Sequence, residues 1–182
     1  LYATKNITTI EGGMIVTNDA QIAERSRLLR AHGSPRTYEH VMLGYNMRLT
    51  DLAAAIGLVQ LNKLREWNSI RRANAAYLTE NLSKINGIVT PKVRENSDHV
   101  FHQYTIRIPD RDNAAKKLKE NGVGVGIHYP TPIHQQPLYK ELGYSDVLPV
   151  AEAASREVLS LPVHPSLSKD DLDHIIRTIA GL

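Results

Sequence analysis

Lys5 opens the run ATKNITTIEGGMIVTND, a few positions ahead of Gly12 and Gly13. A lysine amine forms an imine with an aldehyde only when part of the population is neutral, although the reference pKa is about 10.4. Burial and neighbouring positive charge lower that value, so such a lysine needs a rigid, partly buried seat. A short connection into a glycine-turned hairpin would provide one. On spacing alone, one lysine near two glycines reads more readily as a solvated surface charge. Asn46 and Arg48 stand together in LGYNMRLTD. An amide and a guanidinium both hold anionic oxygens, but in isolation they read as a turn residue and half of a surface ion pair. His128, Tyr129 and His134 fall in HYPTPIH. The two histidines have no acidic or cysteine companion at a metal-binding spacing, so no metal site is expected. His164, between Val163 and Pro165, reads as structural.

These side chains must be positioned by the elements around them. Residues 7–17 read as two short strands turned at Glu11, Gly12 and Gly13. Asn18 and Asp19 cap a helix carrying Ile22, Leu28 and Leu29, which Gly33 stops. A loop from Ser34 to about Leu49 holds Asn46 and Arg48. Thr50 then caps a long helix striped with Leu52, Ala55, Ile56 and Val59. Its pattern runs to Leu82, with a kink or break expected near Trp67–Ser69. A helix this long suits a connector between two domains, which places a boundary within residues 60–75 and divides the chain into 1–65 and 66–182.

From Ile88 onward strand and helix alternate. Val100, Tyr104, Ile106 and Ile108 share one face of an expected strand over 100–108. Asp110 caps a helix that ends at Gly122. A further strand is expected over Val123–Tyr129, with Gly124, Gly126 and His128 on one face, where glycines admit a close neighbour. Pro130 and Pro132 stiffen the loop that follows. A helix is expected from Pro149 to Val158. A last one begins at Ser168, whose capping-box partner is Asp171, and carries Leu172, Ile175, Ile176 and Ile179 on one stripe.

The 182 residues carry 22 basic and 19 acidic side chains, for a net charge of +3, and no cysteine. The charges are dispersed, so no basic arm or stripe marks a nucleic-acid partner. Without cysteine there is no disulfide framework and no thiolate metal site. No apolar run approaches the roughly 20 residues of a membrane span, and the first residues lack signal-peptide order. A cytoplasmic chain is expected.

The run ATKNITTIEGGMIVTND is followed by RLLRAHG, LGYNMRLTDLAAAIGLVQL, RRANAAYL, GIHYPTPIHQQPLY and LSLPVHPSLS. In this order and at about this spacing the motifs resemble the DegT/DnrJ/EryC1/StrS family of sugar aminotransferases, over essentially the whole chain. The resemblance implies an α/β fold: the end of the large pyridoxal-phosphate domain of a fold-type I aminotransferase (1–65) and a small C-terminal mixed α/β domain (66–182). It implies a pyridoxal 5'-phosphate enzyme that turns a nucleotide-linked keto sugar into an amino sugar for a polysaccharide, glycan or secondary metabolite, with glutamate as the expected donor. Lys5 then corresponds to the Schiff-base lysine. Asn46 corresponds to the asparagine that reaches the partner subunit's cofactor phosphate, which implies a homodimer. Arg48 is placed near substrate or cofactor phosphate, and His128, Tyr129 and His134 near the sugar nucleotide.

Relatives that dehydrate instead carry histidine at the lysine position, and Lys5 argues against that chemistry. Where the family usually has GEGG, this sequence has Ile10 ahead of Glu11, Gly12 and Gly13, which removes one glycine from the turn. The family's cofactor-pairing aspartate, stacking ring and first phosphate-binding turn all precede the lysine. The resemblance therefore implies that this stretch alone is inactive. A noncatalytic dimerisation or binding module is the alternative.

Overall fold

A computed structural model describes all residues, Leu1–Leu182. The chain forms two compact units, Leu1–Arg65 and Glu66–Leu182. Six helices and two strands make up the regular structure, and the mixed α/β class expected from the sequence is found.

In the first unit, α1 spans Ala20–Arg30, with the Asp19 carboxylate accepting from the amides of Gln21 and Ile22. That is the expected cap, satisfying two of the helix's orphan donors. Gly33 closes α1 at φ +68°, and its amide donates to the Leu28 carbonyl at 2.8 Å. A Cβ here would lie 1.8 Å from the Met42 carbonyl oxygen, so close packing as well as handedness requires glycine. The loop after Gly33 folds back on the end of α1. Tyr45 donates to Leu29 and Met47 to Arg30, and this pairing sets the position of Asn46.

Residues 7–17 do not form the expected hairpin. The stretch has no strand, and Met14, Ile15 and Val16 are exposed. Short apolar runs make a strand only where a neighbouring backbone completes the ladder, and no segment of the chain pairs with these. What holds the stretch is local. Thr9 is buried, against Gly12 on one side and Gly57 on the other, where added methyl groups would lie 2.7 Å and 2.8 Å from its side chain. The amide of Thr8 donates to Gln60 Oε1 at 2.9 Å.

Helix α2 runs without interruption over Asp51–Leu82, begun by the Thr50 hydroxyl accepting from Ala53. The break expected at Trp67–Ser69 is absent. Those residues carry no proline or glycine, and three poor helix formers in a long helix cost too little to stop it. The first part of α2 belongs to the first unit and the rest to the second.

The second unit holds the hydrophobic core. Strand β1, Tyr104–Arg107, pairs antiparallel with β2, Val158–Leu161, in the register Tyr104↔Leu161 and Ile106↔Leu159. Tyr104, Ile106 and Ile108 are buried, as the alternation predicts. The other edge of each strand takes a single antiparallel bridge, Val89 to Arg107 and Gly126 to Ser160. The strand expected over 123–129 is thus reduced to one bridge, although Val125 and Ile127 still pack on the core. β2 was not expected at all, because a short, almost wholly buried strand lacks the alternation that reveals one.

Helices close the core. Ala75, Leu78 and Leu82 of α2, Ala114, Ala115 and Leu118 of α3 (Arg111–Glu120), and Leu172, Ile175 and Ile179 of α6 (Lys169–Ala180) form one cluster with the strands. Each fully buried Leu or Ile contributes roughly 1.5–3 kcal/mol. Asp110 precedes α3 as expected but does not cap it with its side chain. It sits at φ +46° with no side-chain bond to the helix. Ser168 and Asp171 do form the expected capping box. Two short helices follow the HYPTPIH segment: α4 (Pro137–Glu141), which the sequence pattern did not reveal, and α5 (Pro149–Glu157), expected to reach Val158.

Candidate functional site

The expected residues fall into two groups, one in each unit. Lys5 lies at the end of a tight turn, its amide donating to the Tyr2 carbonyl at 3.0 Å. Its side chain is exposed. The partly buried seat expected for it is not present, because the hairpin that was to supply it does not form. The turn is nonetheless tied down, since Thr9 N–H and the Thr8 hydroxyl both donate to the Leu1 carbonyl.

Asn46 and Arg48 are joined directly. Arg48 Nε donates to Asn46 Oδ1 at 2.9 Å, while a bridge between Ala31 and Asn46 fixes the backbone beneath. The bond commits the amide oxygen of Asn46 to Arg48 and leaves the amide N–H groups and the terminal guanidinium nitrogens as further donors. Side chains of this composition are suited to hold anionic oxygens. Arg48 also lines a cavity of about 560 Å³ with Thr9, Glu11, Gly12, Arg30 and Thr50.

In the second unit a cavity of about 620 Å³ gathers His128, Tyr129 and His134. Its remaining wall includes Tyr139, Tyr144 and Leu148, aromatic and apolar surface around a few polar groups, as small-molecule sites usually are. Tyr139 and Tyr144 were not singled out in the sequence; they meet edge to face at 5.5 Å, and nothing in their spacing announced it.

Each histidine is held by one ring nitrogen. His128 Nδ1 lies 2.9 Å from Ser160 Oγ, which lies 2.8 Å from Thr105 Oγ1. A chain of two hydroxyls can turn either way, so it accepts a proton from Nδ1 or donates one to it. The ring fits because residue 126 is glycine: a Cβ there would lie 2.5 Å from His128 Cε1. The glycine face expected in this segment thus admits a side chain of the same chain. His134 instead meets a carboxylate, its Nε2 3.1 Å from Glu152 Oε1. Glu152 also accepts the Leu148 amide at 3.0 Å. The Leu148 bond, followed by that from His134, holds the carboxyl below the usual range for glutamate. The residue His164 is exposed, and its backbone carbonyl accepts from Asn74 Nδ2 at 3.1 Å. No helix is long and apolar enough to cross a membrane.

Residues 1–180 match the model of the DegT/DnrJ/EryC1/StrS aminotransferase family. A protein named pleiotropic regulatory protein, from Geobacillus stearothermophilus, is 44% identical over 183 residues, covering 98% of this chain and 49% of the relative. The dTDP-3-amino-3,4,6-trideoxy-alpha-D-glucose transaminase of Streptomyces venezuelae is 37% identical over 180 residues, covering 98% of this chain and 48% of the relative. Among solved structures, S. venezuelae DesV in complex with a ketimine intermediate superposes with a TM-score of 0.86 at 36% identity, over 91% of this chain and 45% of that one. The chain spans about half the length of the curated relatives it matches.

Proposed function

We propose, since the chain belongs to the DegT/DnrJ/EryC1/StrS aminotransferase family, that the whole protein is a pyridoxal 5'-phosphate aminotransferase. It converts a nucleotide-linked keto sugar into an amino sugar, with glutamate as donor. Its products serve polysaccharide, glycan or secondary-metabolite biosynthesis, and it works in the cytoplasm as a homodimer. The observation that carries this reading is the family match running unbroken through the Lys5 segment.

The donor set fits the cofactor in kind. Lys5 carries a primary amine on an exposed turn, and the Asn46–Arg48 pair offers amide and guanidinium N–H groups to a phosphate. When bound, pyridoxal phosphate supplies an electron sink for the carbon that gains or loses nitrogen. The roles left to this chain are then separate. Lys5 would hold the cofactor through its aldehyde, with loss of water, and its amine would carry a proton at the substrate carbon. Asn46, oriented by Arg48, directs its N–H donors at a phosphate, across the subunit interface in the proposed dimer. His128, Tyr129 and His134 bind the sugar nucleotide in the cavity of the second unit.

Lys5 decides the reading. Borohydride reduction of the complete protein with pyridoxal phosphate, followed by peptide mapping, is expected to place the label on Lys5. Lys5→Ala is expected to lose both the visible absorbance and turnover. A variant that kept colour and activity, or a label on another lysine, would overturn the assignment. Residues 1–182 on their own are expected to show no transamination.

A further inference from the structure

His134 lies in the 3-10 turn Ile133–Gln135, and its side chain is 9% exposed beside a Glu152 side chain that is 20% exposed. Two N–H donors converge on one oxygen of Glu152, from Leu148 and from His134. An ionised carboxylate has no proton to give, so the hydrogen of the second bond belongs to His134 Nε2. A neutral imidazole bonded in this way keeps its lone pair on Nδ1. That nitrogen has no bond to the protein, and His134 lines the cavity. His128, bonded to a hydroxyl that turns either way, is under no such constraint.

We propose that Glu152 is a positioning residue for the cavity. It fixes His134 as the Nε2–H tautomer and presents Nδ1 as an acceptor for a hydroxyl or N–H of a bound sugar nucleotide. The ligand part of this proposal rests on the reading given under Proposed function; the positioning part stands on the geometry alone. Glu152 also caps α5 through Leu148, so loss of the carboxylate has a structural effect that the test must separate.

A double-mutant cycle does this. The complete protein and its E152A, E152Q, H134A and E152A/H134A variants are titrated calorimetrically with UDP-N-acetylglucosamine and dTDP-glucose. E152A and H134A are each expected to weaken binding about tenfold, the size of one lost hydrogen bond. The double variant is expected to bind no worse than H134A. E152Q, whose amide oxygen accepts from both donors, is expected to stay within about threefold of wild type. Losses that add in the double variant would mean that Glu152 acts only through α5, and the proposal fails. A crystal structure of E152A supplies the second readout: the His134 ring is expected to leave its orientation, and a ring that stays in place also overturns the proposal. Where E152A does not fold, E152M, which fills the space without accepting a hydrogen bond, takes its place. A wild-type protein that binds neither sugar nucleotide would remove the ligand part together with the reading beneath it, and the ring orientation then decides the positioning part by itself.

Discussion

At the scale of single residues, two departures from local preference lie beside candidate site residues. Ile10 stands where the family usually has glycine, and it adopts φ +71°, a left-handed conformation that crowds any residue with a Cβ and a branched one most. Its side chain is exposed, so no core contact compensates. Ile10→Gly is therefore expected to stabilise the chain by about 1 kcal/mol, read as a rise in the denaturation midpoint; a fall would show that the turn needs its isoleucine. Gly126 presents the opposite case. Alanine there would collide with the His128 ring and detach it from Ser160. Gly126→Ala is expected to cost about 1–3 kcal/mol, the range for overpacking, and to displace the ring in a crystal structure. Lys5, Asn46, Arg48, His128 and His134 were all legible as chemistry-bearing types. Glu152 and Ser160 were not, because their partners lie 18 and 32 positions away and only folding brings them into reach.

Elements specified by their own ends were the easiest to read. The Asp19 cap, the Gly33 stop and the Ser168–Asp171 box are short-range devices, complete within a few residues. The box has a pH signature. Bonds from the Ser168 hydroxyl and amide lower the Asp171 pKa from its ordinary value of 3.8. A depressed carboxylate adds stability above its unfolded pKa and loses it as the pH falls through the folded value. The thermal midpoint of the wild type is thus expected to drop below about pH 4 more steeply than that of Asp171→Asn, which lacks the titrating group. Parallel curves would show that the box does not couple to protonation. Strands were read less well for a related reason. Each needs a partner from distant sequence, so the apolar run at residues 14–16 forms none, while β2, buried and without alternation, forms against β1.

At the scale of the molecule, the two units differ in what they bury. Every fully buried apolar side chain belongs to the second unit. In the first, Met14, Val16, Leu52 and Leu58 are 77%, 87%, 74% and 67% exposed. Apolar surface on that scale favours association. The 182-residue chain on its own is expected to elute from size exclusion as oligomers or aggregate, and a stable monomer at micromolar concentration would count against this. Amide exchange of that chain is likewise expected to be slow in α6 and β1 and fast over residues 1–50.

The sequence by itself determined the family, the mixed α/β class and the helix ends marked by a local cap or stop, and it named the side chains proposed to react. Those depend on residue type and on contacts only a few positions long. Tertiary structure alone decided which strands exist, which nitrogen of each histidine is committed to the protein, and that Arg48 orients Asn46. Each of these requires two backbones, or two polar atoms, to come within about 3 Å, a condition set by packing rather than by either residue's own preference.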